Sequence, residues 1–138
     1  MTARTFDGER SCLVAARRFV INELAAAGQS SSTEIAVLLT SELATNVVLH
    51  AGTSFEVVVE TGPSVIRIEI HDGRAVTDAF RDLVANPPRS VEPTMVGGRG
   101  LLLVGSTALR FGLDDKGPEG KAIWFELAAS PDSSDHST

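Results

Sequence analysis

Cysteine, basic charge and long apolar runs are all scarce in this chain. A single cysteine, Cys12, stands among 138 residues. One thiol excludes an internal disulfide framework and an all-cysteine zinc site, so Cys12 reads as a small packed residue rather than a reactive one. Lys and Arg number 12 against 18 Asp and Glu, for a formal net charge of −6 and a pI near 5.0. Duplex-binding proteins carry a basic stripe, and none is visible, so direct contact with nucleic acid is not expected. No run of apolar residues approaches the roughly 18 needed to span a membrane. The Met1–Asp7 segment lacks a signal-peptide core. The expectation is a cytoplasmic protein without a membrane partner.

What is present fits one domain. The mass is 14.6 kDa, with 43% hydrophobic and 22% charged residues and a mean hydropathy of +0.10. A chain of this length buries about 70% of its unfolded surface and needs no covalent staple. Residues 1–129 are read as that domain, and residues 130–138 as a flexible tail too polar to pack.

Apolar spacing predicts a helix over residues 9–27, with Leu13, Ala16, Arg17, Val20 and Leu24 on one face and Gly28 as its stop. Ser30–Thr33 form a capping cluster for a second helix running to about Ala51, which Gly52 closes. Two strands follow, Phe55–Glu60 and Ile66–His71, joined at Gly62-Pro63. A short helix is expected over residues 77–85 and a long loop over 86–98. A further helix is expected over residues 101–108, then strands around Leu109–Leu113 and Ile123–Leu127. Helices and hairpins are segregated instead of alternating strictly. That order predicts an α+β fold: a two-layer sandwich whose mostly antiparallel sheet is covered by helices on one face.

Polar residues then stand where the pattern wants apolar ones. With Glu42 as the origin of a helical wheel, Asn46 falls at about +40°, among Ile35, Leu38, Leu39 and Leu49. A carboxylate there is costly unless it is paired or wetted. The ordinary reading is a partly solvated helix edge. The functional one is a cavity floor, with Glu42 as general base and Asn46 offering a hard oxygen to magnesium. On the second strand, parity carries Asp72 onto the face of Ile66, Ile68 and Ile70. An acceptor-only carboxylate there can read an N–H donor, although an Asx turn with Gly73 is equally ordinary. Finally, Gly97-Gly98-Arg99-Gly100 precedes a helix, where backbone N–H groups and the helix dipole favour an anion. It is neither a Walker loop, since Ser106 replaces the lysine, nor a dinucleotide fingerprint, since Leu103 replaces the third glycine.

These segments, in this order, resemble the Bergerat ATP-binding fold of the GHKL superfamily of gyrase, histidine-kinase and chaperone ATPase domains. Glu42–Ala51 resembles its N box, Ile70–Gly73 its first glycine box and Gly98–Val104 its second. The chain looks most like the single-domain anti-sigma factor serine/threonine kinases of actinobacterial type, with Ala15–Val20 and Gly120–Leu127 also fitting. The resemblance spans about residues 9–128. It implies that Asn46 coordinates Mg2+ at the phosphates of ATP and that Glu42 is the general base. It implies that Asp72 and Gly73 meet the adenine, and that residues 86–98 form a lid. Gly98, Gly100 and Leu101 would meet the phosphates through their backbone, helped by Arg99. His50 is either an ordinary group at a helix C-terminus or a further phosphate contact. Arg74 and Val76 occupy positions that are usually glycine, and Arg74 would narrow the adenine pocket. Ala122 stands where many relatives carry a threonine near the adenine.

The implied function is transfer of the ATP γ-phosphate to a STAS-domain anti-anti-sigma factor, together with control of a sigma factor, by a homodimer. The alternative is a switch that binds nucleotide and controls partner binding without phosphotransfer. A histidine-kinase catalytic domain is disfavoured, because no helix with a phospho-acceptor histidine precedes the N box.

Overall fold

The structure is a computed structural model and describes residues 1–86, 104 and 107–129; at 50, 51 and 83 it describes the backbone alone. Strand β1 is Thr2–Phe6, followed by helices α1, Cys12–Ala26, and α2, Thr33–Asn46. Strands β2, Phe55–Thr61, and β3, Val65–Asp72, precede the short helix α3, Asp78–Ala85. Strands β4, Arg110–Asp115, and β5, Lys121–Ala128, complete the sheet. The five strands lie in the order β1-β2-β3-β5-β4, and every neighbouring pair is antiparallel. The α+β sandwich expected from the sequence is therefore the fold.

Strand parity divides the sheet into two faces. One carries Phe55, Val57, Ile66, Ile68, Ile70, Ile123, Phe125 and Leu127, all buried. Helix α1 brings Ala16, Val20 and Leu24 to this face, and α2 brings Ala36, Leu39, Leu43 and Ala44. Each large apolar side chain buried in this layer contributes about 1.5–3 kcal/mol. Cys12 is half-buried against the same core, as expected of a packed thiol. The stretch Ser30–Leu49 is long and apolar enough by composition to cross a membrane. Ala36, Leu39, Leu43, Ala44 and Val47 of this stretch are buried in the core, whereas Leu38 and Leu49 are exposed.

Three features depart from the sequence expectation. Strand β1 was not foreseen: Thr2, Arg4 and Phe6 alternate without an apolar signal, and pairing with Val59, Val57 and Phe55 makes the segment a strand. Helix α1 begins at Cys12 rather than residue 9, after a turn in which Glu9 and Arg10 carbonyls accept from the Cys12 and Leu13 N–H groups. Helix α2 is regular only to Asn46; Val47–Ala51 form a wider π-type turn, closed by Gly52 at φ 66°. The tail, residues 130–138, lies outside the described residues.

The opposite face of the sheet carries a polar ladder. Arg67 Nε donates to Glu69 Oε2 at 2.7 Å, and Arg67 also reaches Glu126 Oε2 at 3.2 Å. Arg110 Nε donates to Glu126 Oε1 at 2.7 Å. The Arg67 guanidinium lies over the Trp124 ring, 3.9 Å from its centroid. His71 Nε2 meets Glu69 Oε1 at 2.8 Å, and Lys116 Nζ meets His71 Nδ1 at 2.9 Å. Burial pushes the Glu126 carboxyl up, but bonds from Arg110 and Arg67 outweigh it and hold it below the ordinary value. Glu69 is likewise lowered, its burial overcome by Arg67 and His71.

A carboxyl with a depressed folded pKa stabilises the fold above its unfolded pKa, and the contribution vanishes as pH falls through the folded value. Unfolding free energy is thus expected to drop below about pH 4.5, with a shallower slope in Glu126→Gln than in the wild type. At neutral pH that variant should lose about 1–2 kcal/mol, the lower part of the range for charged hydrogen bonds because Arg110 is exposed. Urea melts across the acid range check this; parallel slopes for the two proteins would remove Glu126 from the effect.

Candidate functional site

The site grows from the C-terminal end of α2. The buried arc of this helix is Ala36, Leu39, Thr40, Leu43, Ala44 and Val47, centred about 130° round from Glu42. Glu42 and Asn46 are half-buried on the rim of that arc, not inside it, one turn apart on one side of the helix. The sequence reading counted Leu38 and Leu49 as core, but they are 40% and 51% exposed. Counting them turned the expected arc toward Glu42. A rim position leaves both side chains partly open to solvent. Glu42 is engaged with other groups of the protein.

Beyond Asn46 the chain widens into the π-type turn, with the Gly52 N–H donating to the Val47 carbonyl at 3.2 Å. Such turns recur at functional sites because they re-aim the backbone. The His50 side chain lies outside the described residues. Thr53 then ties the helix end to the sheet: its Oγ1 accepts from the Gly73 N–H at 3.2 Å. Gly8 packs on the other side, where a Cβ would sit 2.1 Å from the Thr53 carbonyl oxygen.

Asp72 ends β3 on the inward face, as parity predicted, and it is buried. Its Oδ1 accepts from the Arg74 N–H at 2.8 Å and from Lys121 Nζ at 2.9 Å. The expected Asx turn is present, closed by Arg74 rather than Gly73. Arg74 is exposed and meets the site through its backbone, since its carbonyl also accepts from Lys121 at 3.2 Å. Lys121 is 8% exposed, and its ammonium lies 5.2 Å from the Phe80 ring centroid.

Lys121 is the residue that sequence reading missed. It shares strand parity with Ile123, Phe125 and Leu127, so the rule that singled out Asp72 would have singled out Lys121. The register pairs the two positions directly. The same register corrects the expectation for Ala122, which pairs with His71 on the opposite side of the sheet. The side chain next to Asp72 is a lysine, and the missing hydroxyl at Ala122 does not bear on that face.

Gly98, Arg99, Gly100 and Leu101 lie outside the described residues, as does most of the expected lid. Val104 and Thr107 are helical, and the Ala108 N–H donates to the Val104 carbonyl at 2.8 Å. Among the described residues no three His, Cys, Asp or Glu side chains form a metal-binding group.

The chain matches solved structures over nearly its whole length. It superposes on the nucleotide-free catalytic domain of histidine kinase ThkA with a TM-score of 0.56 at 11% identity, covering 95% of this chain and 100% of that one. A mycobacterial sensor histidine kinase, MprB, gives 0.50 at 18% identity, covering 94% and 99%. The five-stranded antiparallel sheet with its helices is thus the fold of these histidine kinase catalytic domains. No family model and no curated protein matches the sequence. Asp72 and Lys121 lie together where β3 ends and β5 begins, while Glu42 and Asn46 lie on the rim of α2.

Gly120 makes that framework possible. Its φ of 121° and ψ of −147° fall where only glycine is comfortable, and a Cβ would stand 1.9 Å from the Asp72 carbonyl oxygen. Gly120→Ala is expected to cost about 2–4 kcal/mol, read from denaturant unfolding. A variant as stable as the wild type would show that the Asp72–Gly73 turn gives way without loss.

Proposed function

We propose that this chain is an ATP-binding serine/threonine protein kinase of the anti-sigma factor type, acting on a STAS-domain anti-anti-sigma factor and thereby controlling a sigma factor. The observation that carries the reading is Asp72: a buried carboxylate, fixed by two donors on one oxygen, at the end of an apolar ladder in a GHKL-type fold. Its other oxygen would accept from an exocyclic amine. Glu42 and Asn46, on the rim of α2, would face the phosphate end.

In that reading Asn46 offers its amide oxygen to Mg2+, and Glu42 accepts the proton of the partner's hydroxyl. Phosphoryl transfer asks chiefly for positioning and charge neutralisation, and magnesium supplies the latter when bound. The net charge of −6 opposes a polyanion at long range, so attraction must be local. Gly98, Arg99, Gly100 and Leu101 would add backbone and guanidinium donors, with His50 a further phosphate contact. A homodimer in the cytoplasm belongs to the same proposal. Support comes from the fold, the acceptor at Asp72 and the sequence likeness of Glu42–Ala51 and Gly98–Val104 to the N and second glycine boxes.

The test is incubation with Mg-ATP and a STAS-domain partner, read by mass spectrometry for phosphoserine and phosphothreonine. Glu42→Ala is expected to slow transfer by about 100-fold or more while ATP still binds. Asn46→Ala should abolish the magnesium dependence of nucleotide affinity in calorimetry. Transfer unchanged in Glu42→Ala would remove the general-base role. Phosphohistidine in a partner would move the protein toward the chemistry named for its structural neighbours. Nucleotide binding without transfer to any partner would favour the non-catalytic switch.

A further inference from the structure

We propose that Lys121 reads the purine ring directly, donating a hydrogen bond to N1 of adenine beside the 6-amino group taken by Asp72. The inference rests on the ATP-binding reading above and names the residue that selects the base. An ammonium has three donors. Two are placed, on Asp72 Oδ1 at 2.9 Å and on the Arg74 carbonyl at 3.2 Å, and both partners lie at the end of β3. The Phe80 ring flanks the ammonium at 5.2 Å. The third donor is held next to the carboxylate by the β3–β5 register, because Asp72 and Lys121 are directly paired.

A carboxylate and an ammonium side by side form an acceptor–donor pair. Adenine presents its complement along one edge, an N6–H donor next to the N1 acceptor. A 6-oxopurine presents the reverse, with O6 toward the carboxylate and N1–H toward the ammonium. Lys121 and Asp72 are both buried, so water cannot repair such a mismatch cheaply. An arginine would not fit this role, since its planar fork cannot place three donors around a single point.

The experiment is calorimetry with magnesium and two nucleotides, ATP and 1-deaza-ATP, in which N1 is replaced by C–H. The wild type is expected to prefer ATP by about 10- to 100-fold, the range for a hydrogen bond to a charged group. In Lys121→Met the preference should fall to about twofold or less. The ratio within each protein cancels whatever the substitution does to Asp72. Lys121→Gln, which keeps amide donors for Asp72 and the Arg74 carbonyl, serves if the methionine variant does not fold, and it too should lose the preference. Equal affinities in the wild type would overturn the proposal without any variant. So would a preference that survives in a folded Lys121 variant. Absence of any ATP binding in the wild type would instead sink the ATP-binding reading and this inference with it, whereas ATP binding without discrimination at N1 sinks this inference alone.

Discussion

The Asp72–Lys121 ion pair is the interaction on which this end of the molecule turns. Two opposite charges taken out of water are each expensive, and their mutual attraction compensates only when geometry and further hydrogen bonds are good. Both conditions hold. The ammonium bridges the carboxylate and the Arg74 carbonyl, and the Arg74 N–H returns to the same carboxylate oxygen. The result is a closed knot at the ends of β3 and β5. Gly120 lets the second strand come close enough to tie it.

Everything else in the region serves to hold that knot against α2. Thr53 links the Asp72–Gly73 turn to the segment leaving the helix, and Gly8 packs behind Thr53. The π-type turn at Val47–Ala51 absorbs the difference between a helix period and the direction the chain must take into β2. On the far side of the sheet, the ladder through Glu69, Arg67, Glu126 and Arg110 binds β3, β4 and β5 with charge-assisted bonds. The same strands therefore carry an exposed-side polar network on one face and the buried Asp72–Lys121 pair on the other. Strand parity alone separates the two duties.

In the proposed function, the Asp72–Lys121 pair would meet the base, and Asn46 with Glu42 would face the phosphate end. The first pair is neutral in sum and suits an uncharged heterocycle. The second would reach a polyanion only through a cation and backbone donors. Such a division would let a protein with a net charge of −6 hold a nucleotide by local contacts.

Alternation and helical spacing were enough to fix the class of the fold, because burial of one face imposes period on any sequence that folds. Strands β2, β3, β4 and β5, helices α1 and α2, and the inward placement of Asp72 follow from that rule. Strand β1 was invisible, since a short edge strand with polar alternation takes its structure from the partner it pairs with. The rotation of α2 was also beyond reach: Leu38 and Leu49 are apolar yet exposed, and hydrophobicity cannot say which apolar residues will find a partner. Lys121 was within the parity rule, but its meaning was not. A lysine beside a carboxylate is defined by the β3–β5 register, a contact between residues 49 apart in the chain. Period is a property of one segment and is written in the sequence; register and rotation are relations between segments and exist only once they pack.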